Sequence, residues 1–120
     1  MGNYRELEVW KRGRVLAREV YRETRSFPRT EMFGIVQQMR RAAVSIISNI
    51  AEGHGRGSVR ERLHFLMMSR GSLFELQAQI IIAADLDYVT EHDRDGLLEH
   101  VIAVSKPLHG LIRHYQNRLR

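Results

Sequence analysis

The chain reads as an all-α protein, an antiparallel up-down-up-down four-helix bundle with helices over about residues 5–25, 30–52, 58–86 and 90–119. Three observations predict it. Apolar residues recur at helical spacing through four long segments. The breaks between them are short, at Phe27-Pro28, Gly53–Ser58 and Asp87-Tyr88-Val89, and short connections make successive helices antiparallel neighbours. Nothing alternates with the period of a strand, and the only prolines in 120 residues are Pro28 and Pro107.

The first helix carries Val9, Trp10, Gly13, Leu16, Ala17, Val20, Tyr21 and Thr24 on its inward side until Phe27-Pro28 breaks it. Thr30 is the expected N-cap of the second, which runs to Glu52. Three alternate glycines in Gly53-His54-Gly55-Arg56-Gly57 end that helix. Ser58-Val59-Arg60-Glu61 is a capping box, with Ser at N-cap and Glu at N3. The third helix follows. Thr90 and Asp93 open the fourth, whose Leu97, Leu98, Val101, Ile102, Leu108, Leu111, Ile112, Tyr115 and Leu119 keep helical spacing. Pro107 falls inside it and is expected to kink it. With 43% apolar residues and no repeat or linker, residues 1–120 are read as one domain with one core.

The second helix is more apolar than a bundle helix requires. On a wheel at ~100° per residue, Met39, Ala42, Ala43, Val44, Ile46, Ile47, Ile50 and Ala51 cover more than half the circumference, whereas a surface helix needs only about 100° of apolar face. The third helix repeats this. Leu63, Leu66, Met67, Leu73, Phe74 and Ile81 form one stripe, and Phe65, Leu76, Ile80 and Ala83 form another. Two apolar sides on each of two helices would leave a large exposed patch on a monomer, so self-association is expected. The interface is assigned to Arg40, Ala43 and Ile47 on the second helix and to Phe65, Leu76 and Ile80 on the third.

Composition narrows the function. There is no Cys, hence no disulfide framework, thiolate metal site or cysteine nucleophile. Neither a signal-like segment nor an apolar run of transmembrane length occurs, so a cytoplasmic chain with no membrane contact is expected. Net charge is +5. Residues 1–60 hold 12 Lys+Arg against 6 Asp+Glu, and residues 61–120 hold 7 against 8, so the cationic character belongs to the first half. Of the basic residues 17 are Arg, which suits bidentate phosphate contacts and follows equally from a GC-rich coding sequence.

Arg41-Ala42-Ala43-Val44-Ser45-Ile46-Ile47-Ser48-Asn49-Ile50-Ala51-Glu52-Gly53 resembles the signature helix of the bacterial four-helix-bundle family called 23S rRNA intervening-sequence proteins. Leu7-Glu8-Val9-Trp10, Phe27-Pro28, Glu31-Met32-Phe33-Gly34, Gln38 and Gly71-Ser72-Leu73-Phe74-Glu75-Leu76 stand where that family places similar residues. The likeness covers nearly the whole chain and weakens after about residue 90. It implies a bundle that assembles as a ring-shaped homopentamer. A bundle of similar fold, the accessory variability determinant of diversity-generating retroelements, is likewise pentameric and binds a reverse transcriptase and nucleic acid.

The candidate nucleic-acid contacts are Lys11, Arg14, Arg18, Arg22 and Arg25. Their spacing of 3, 4, 4 and 3 places them within about 80° of one helix face and along about 21 Å of axis. Such a ridge can track a phosphate backbone. A solvated face is the other reading, because Glu8, Glu19 and Glu23 adjoin it. No aromatic is interleaved with the ridge on its helix face, so base stacking of the single-strand type is not expected there. Arg56, with His54 and the amides opening the third helix, is a further candidate phosphate contact. That loop has no Walker lysine and follows no strand, which excludes a nucleotide-triphosphate loop.

Two arginines stand among apolar neighbours, and an unpaired buried charge is costly. Arg70 is expected to pair with Glu52 or Glu75 and Arg40 to lie at a subunit boundary, unless both reach water along the bundle edge. Arg41, Ser45, Asn49 and Glu52, together with Arg70 and Glu75, are read as a structural polar network, because no His stands at helical contact distance from Ser45. His109 and His114 are five apart rather than three or four, so no metal and no cofactor are expected. The expectation is a non-enzymatic homopentamer that binds nucleic acid, RNA in preference, through clustered Arg/Lys surfaces. The alternative is a protein-interaction adaptor, such as an accessory subunit of a retroelement reverse transcriptase.

Overall fold

Capping groups decide where these helices begin. A computed structural model describes residues 2–119 of the chain, with α1 over Glu8–Thr24, α2 over Ile35–His54, α3 over Val59–Asp85 and α4 over Glu91–Arg118. At α3, Ser58 Oγ accepts the Glu61 amide at 3.1 Å and donates to the Glu61 carboxylate at 3.3 Å. At α4, Thr90 Oγ1 accepts the Asp93 amide at 3.1 Å. Both starts match expectation.

The first two helices start later than expected. Asn3 caps a separate 3-10 turn at Tyr4–Glu6, and α1 begins only at Glu8. Thr30 does not cap α2. The Glu31 amide turns back to the Pro28 carbonyl at 2.9 Å, which closes a 3-10 turn over Arg29–Glu31. Gly34 then precedes α2 with no side-chain cap. The fixed φ of Pro28 favours this tight turn over an early α-helical start.

The helices form a ring in chain order. α1 packs on α2 and α4, and α3 packs on α2 and α4, while the diagonal pairs do not meet among the described residues. The body measures 46 × 23 × 22 Å. Its most extensive seam joins α2 to α3, where small residues allow close approach. Ser69, fully buried, donates to the Ile46 carbonyl at 2.9 Å. A Cβ at Gly53 would lie 2.9 Å from Phe65 Cβ and 3.3 Å from the Arg62 carbonyl. Leu16, Val20, Met39, Ile46, Ile50, Val104 and Leu108 fill the centre.

The core corrects the assigned interface. Ala43, Leu76 and Ile80 are fully buried within this chain and have no surface left to cover. Ile47 and Phe65 are half-buried, against Gly13 and Gly53 respectively. The wide apolar arc of α2 arises because α1 and α3 flank it on two sides. On α3 the roles are exchanged: Leu66, Leu73, Leu76 and Ile80 point inward together, while Met68, Phe74, Ile81 and Ile82 remain exposed. α4 continues through Pro107. The Ala103 carbonyl, which Pro107 cannot serve, accepts Arg12 Nη1 at 3.3 Å. Among the described residues no helix is long and apolar enough to cross a membrane.

Candidate nucleic-acid interface

α1 presents its basic residues away from the core, because Val9, Leu16, Ala17 and Val20 claim the opposite side. Lys11, Arg14, Arg18, Arg22 and Arg25 are all exposed. Four of them, Lys11, Arg14, Arg18 and Arg25, have no carboxylate partner among the described residues. Arg22 differs, with Nη2 at 2.6 Å from Glu19 and Nε at 3.7 Å from Glu23. The ridge therefore keeps most of its charge toward solvent, and the adjoining glutamates neutralise one member only.

The fold sets aromatics along one edge of the ridge. Arg14 lies over the Trp10 ring at 5.8 Å, and Trp10 meets Tyr4 edge-on at 5.3 Å. Tyr21, on the same helix, lies under the Arg40 guanidinium at 4.6 Å. The expectation of no aromatic beside the ridge is corrected. Helix spacing places Trp10 and Tyr21 on the edge that α2 approaches, next to the basic face.

Arg40 is not isolated. Its Nε donates to Thr24 Oγ1 at 3.0 Å and its Nη2 to the Tyr21 carbonyl at 3.5 Å. Thr24 in turn donates to the Val20 carbonyl at 2.7 Å. A hydroxyl, a carbonyl and an aromatic face thus satisfy a charge for which a subunit boundary was expected. Arg70 makes no ion pair with Glu52 or Glu75 among the described residues. Glu52 holds Arg56 at 3.0 Å, Glu75 accepts from Gln79 at 3.4 Å, and Arg70 itself is only half-buried.

The polar stripe of α2 is connected in part. Ser45 meets Ser72 across the α2–α3 seam at 2.9 Å, and Asn49 donates to the Ser45 hydroxyl at 3.0 Å and carbonyl at 2.9 Å. Arg41 is exposed and stands outside this group. At the far end of α2, Arg56 is held by Glu52 and lies over the Phe65 ring at 4.8 Å, while His54 Nε2 meets the Gly2 carbonyl at 2.8 Å.

Three grooves follow the outer α1–α2 edge. One of about 580 Å³ holds Tyr4, Ser48, Glu52 and Arg56. A second, about 510 Å³, lies between Arg14, Arg18, Arg25 and Ile47. A third, about 530 Å³, is bounded by Tyr21, Phe33, Arg40 and Val44. Tyr21 borders both of the last two. Phe33, part of the Glu31–Gly34 segment that carries the family resemblance, is 87% exposed and had no binding role assigned to it. Its sequence signal is faint: Met32-Phe33, two bulky apolar residues, sit between a proline break and a glycine and so have no periodic partner.

On the other side of α1, Glu19 and Glu23 face Asp93 of α4. Burial and then the neighbouring Asp93 carboxylate raise the Glu23 pKa, with Glu19 adding and Arg22 offsetting. Among the described residues no three His, Cys, Asp or Glu side chains converge to hold a metal ion.

Fold and surface together define a small α-helical bundle with a cationic, aromatic-edged face. A model of the family described as 23S rRNA-intervening sequence protein matches residues 5–110, and the chain belongs to that family. The match takes in α1, α2, α3 and most of α4. The chain matches no curated protein.

Proposed function

We propose that this chain is a non-enzymatic RNA-binding bundle that works as a homopentamer. One observation carries the RNA reading: Lys11, Arg14, Arg18 and Arg25 form an exposed cationic row on a single face of α1, without carboxylate partners among the described residues. The family description, which names a large-subunit rRNA intervening sequence, is in keeping with it. A cyclic assembly would repeat the row several times, and linked weak sites bind far more tightly than one. Support for a structural polar stripe, and against a nucleophile, comes from Ser45, whose hydroxyl is engaged by Ser72 and Asn49.

Binding through phosphates releases counterions, so affinity falls steeply with salt. Fluorescence anisotropy with labelled RNA across a salt series measures this. The combined variant Arg14→Glu, Arg18→Glu, Arg22→Glu is expected to weaken binding at least tenfold and to flatten the salt slope by about one per lost phosphate contact. A variant that binds like the parent, or no retention of RNA at low salt, would overturn the reading.

A further inference from the structure

We propose that the groove between Tyr21, Phe33 and Val44 receives an unpaired RNA base, while the strand's phosphates lie along Arg14, Arg18 and Arg25. This rests on the RNA-binding reading above and specifies the form of RNA. The groove is open to solvent and, at about 530 Å³, has room for a nucleobase. No carboxylate borders it, and its charged residues are Arg40 and Arg41. The adjoining groove contains four arginines and one carboxylate, Glu19, which Arg22 already engages at 2.6 Å. An occupant must therefore combine an apolar surface with negative charge.

The arrangement favours a nucleic-acid strand over an acidic peptide for two reasons. Arg14, Arg18, Arg22 and Arg25 recur once per helical turn, about every 5.4 Å, as a repeating backbone anion requires. The adjoining groove also offers an aromatic ring with no partner of its own in the core. Phe33 is 87% exposed in the turn before α2, where it adds nothing to the core. Across the groove, Arg40 is fixed on Thr24 and on the Tyr21 ring and does not fold into the space. A duplex hides its base faces within the stack, whereas an unpaired strand can turn one out onto an aromatic ring.

The test uses the full chain and two labelled RNAs, a structureless oligonucleotide of about 12 residues and a blunt duplex of about 16 base pairs. Phe33→Ala is expected to weaken binding of the unpaired strand about tenfold, with the salt slope and duplex binding unchanged. Phe33→Trp is expected to restore it. Because Phe33 is exposed, unfolding does not confound the comparison. Unchanged affinity in Phe33→Ala, with binding still lost on charge reversal of the row, would overturn the base site and leave the RNA reading standing. Absence of binding to either RNA would overturn both. A change in assembled mass in Phe33→Ala, or binding of a poly-glutamate peptide in preference to RNA, would show that a second copy or a protein segment occupies the groove, and would overturn it too.

Discussion

Individual side chains in this bundle show how neighbours reset a residue's chemistry. Glu23 is the clearest case, lodged between α1 and α4 with its side chain 19% exposed. Its pKa is raised from the ordinary 4.5 by burial and by Asp93, so the folded state holds the proton more readily than the unfolded chain. Stability then falls as pH rises from 4.5 to the raised value, and the penalty persists above it. Glu23→Gln is expected to melt higher than the parent near neutral pH, and the difference should vanish by about pH 4. Thermal melts of the pair across that span check it, and equal melting temperatures at neutral pH would refute it. Arg22, His92, Asp95, Glu99 and His100 also line the groove between α1 and α4 in which Glu23 and Asp93 lie, so only the difference between the two proteins reports Glu23. Arg40 carries the complementary lesson. Its charge is visible in the sequence, but its partners are a hydroxyl, a carbonyl and a ring from the neighbouring helix, which no spacing rule within α2 can name.

At the scale of helices, the α2–α3 seam depends on side chains that are absent. Alanine is the better helix former than glycine by about 1 kcal/mol. Yet a methyl at Gly53 would meet Phe65 Cβ at 2.9 Å and the Arg62 carbonyl at 3.3 Å, positions that flexible side-chain ends cannot relieve. Overpacking of this kind costs about 1–3 kcal/mol, so with the helix gain subtracted Gly53→Ala is expected to lower stability by up to about 2 kcal/mol net, read as a drop in Tm. Four helices, two of their N-caps and the order of packing were legible because strong periodicity and Ser58 or Thr90 capping act locally. The start of α2 was not, because the Pro28 turn and Gly34 compete with the Thr30 signal. Ala43, Leu76 and Ile80 were misplaced for another reason. A helical wheel ranks positions around one axis without saying which side each neighbour takes. Phe33 had no site role assigned to it because it belongs to no periodic segment.

For the molecule as a whole, the unresolved account is the apolar surface outside the core. On α2, α1 and α3 cover most of it, and Val44 remains 40% exposed at the groove beside Phe33. α3 keeps Phe74 at 55%, Ile81 at 44% and Ile82 at 49% exposure, a stripe that water disfavours and a second copy would bury. The proposed assembly should therefore depend on α3. Phe74→Asp and Ile81→Asp are expected to leave helix content intact and to convert a five-copy particle into single chains of 14.0 kDa by native mass measurement. A parent protein that is monomeric at micromolar concentration, or variants that assemble normally, would remove that role from α3.

Pro107 adds an anchor for α1 to the hold of its buried side. By lacking an amide it leaves the Ala103 carbonyl open, and Arg12 reaches across to take it while Glu8 steadies the same guanidinium at 3.3 Å. Gly13, one residue on, sits against Ile47 from the other side. A cylinder gripped on two flanks cannot roll. The arginine row and the aromatic edge beside it are thereby held at one azimuth, like the bitting of a key that turns only with its shaft.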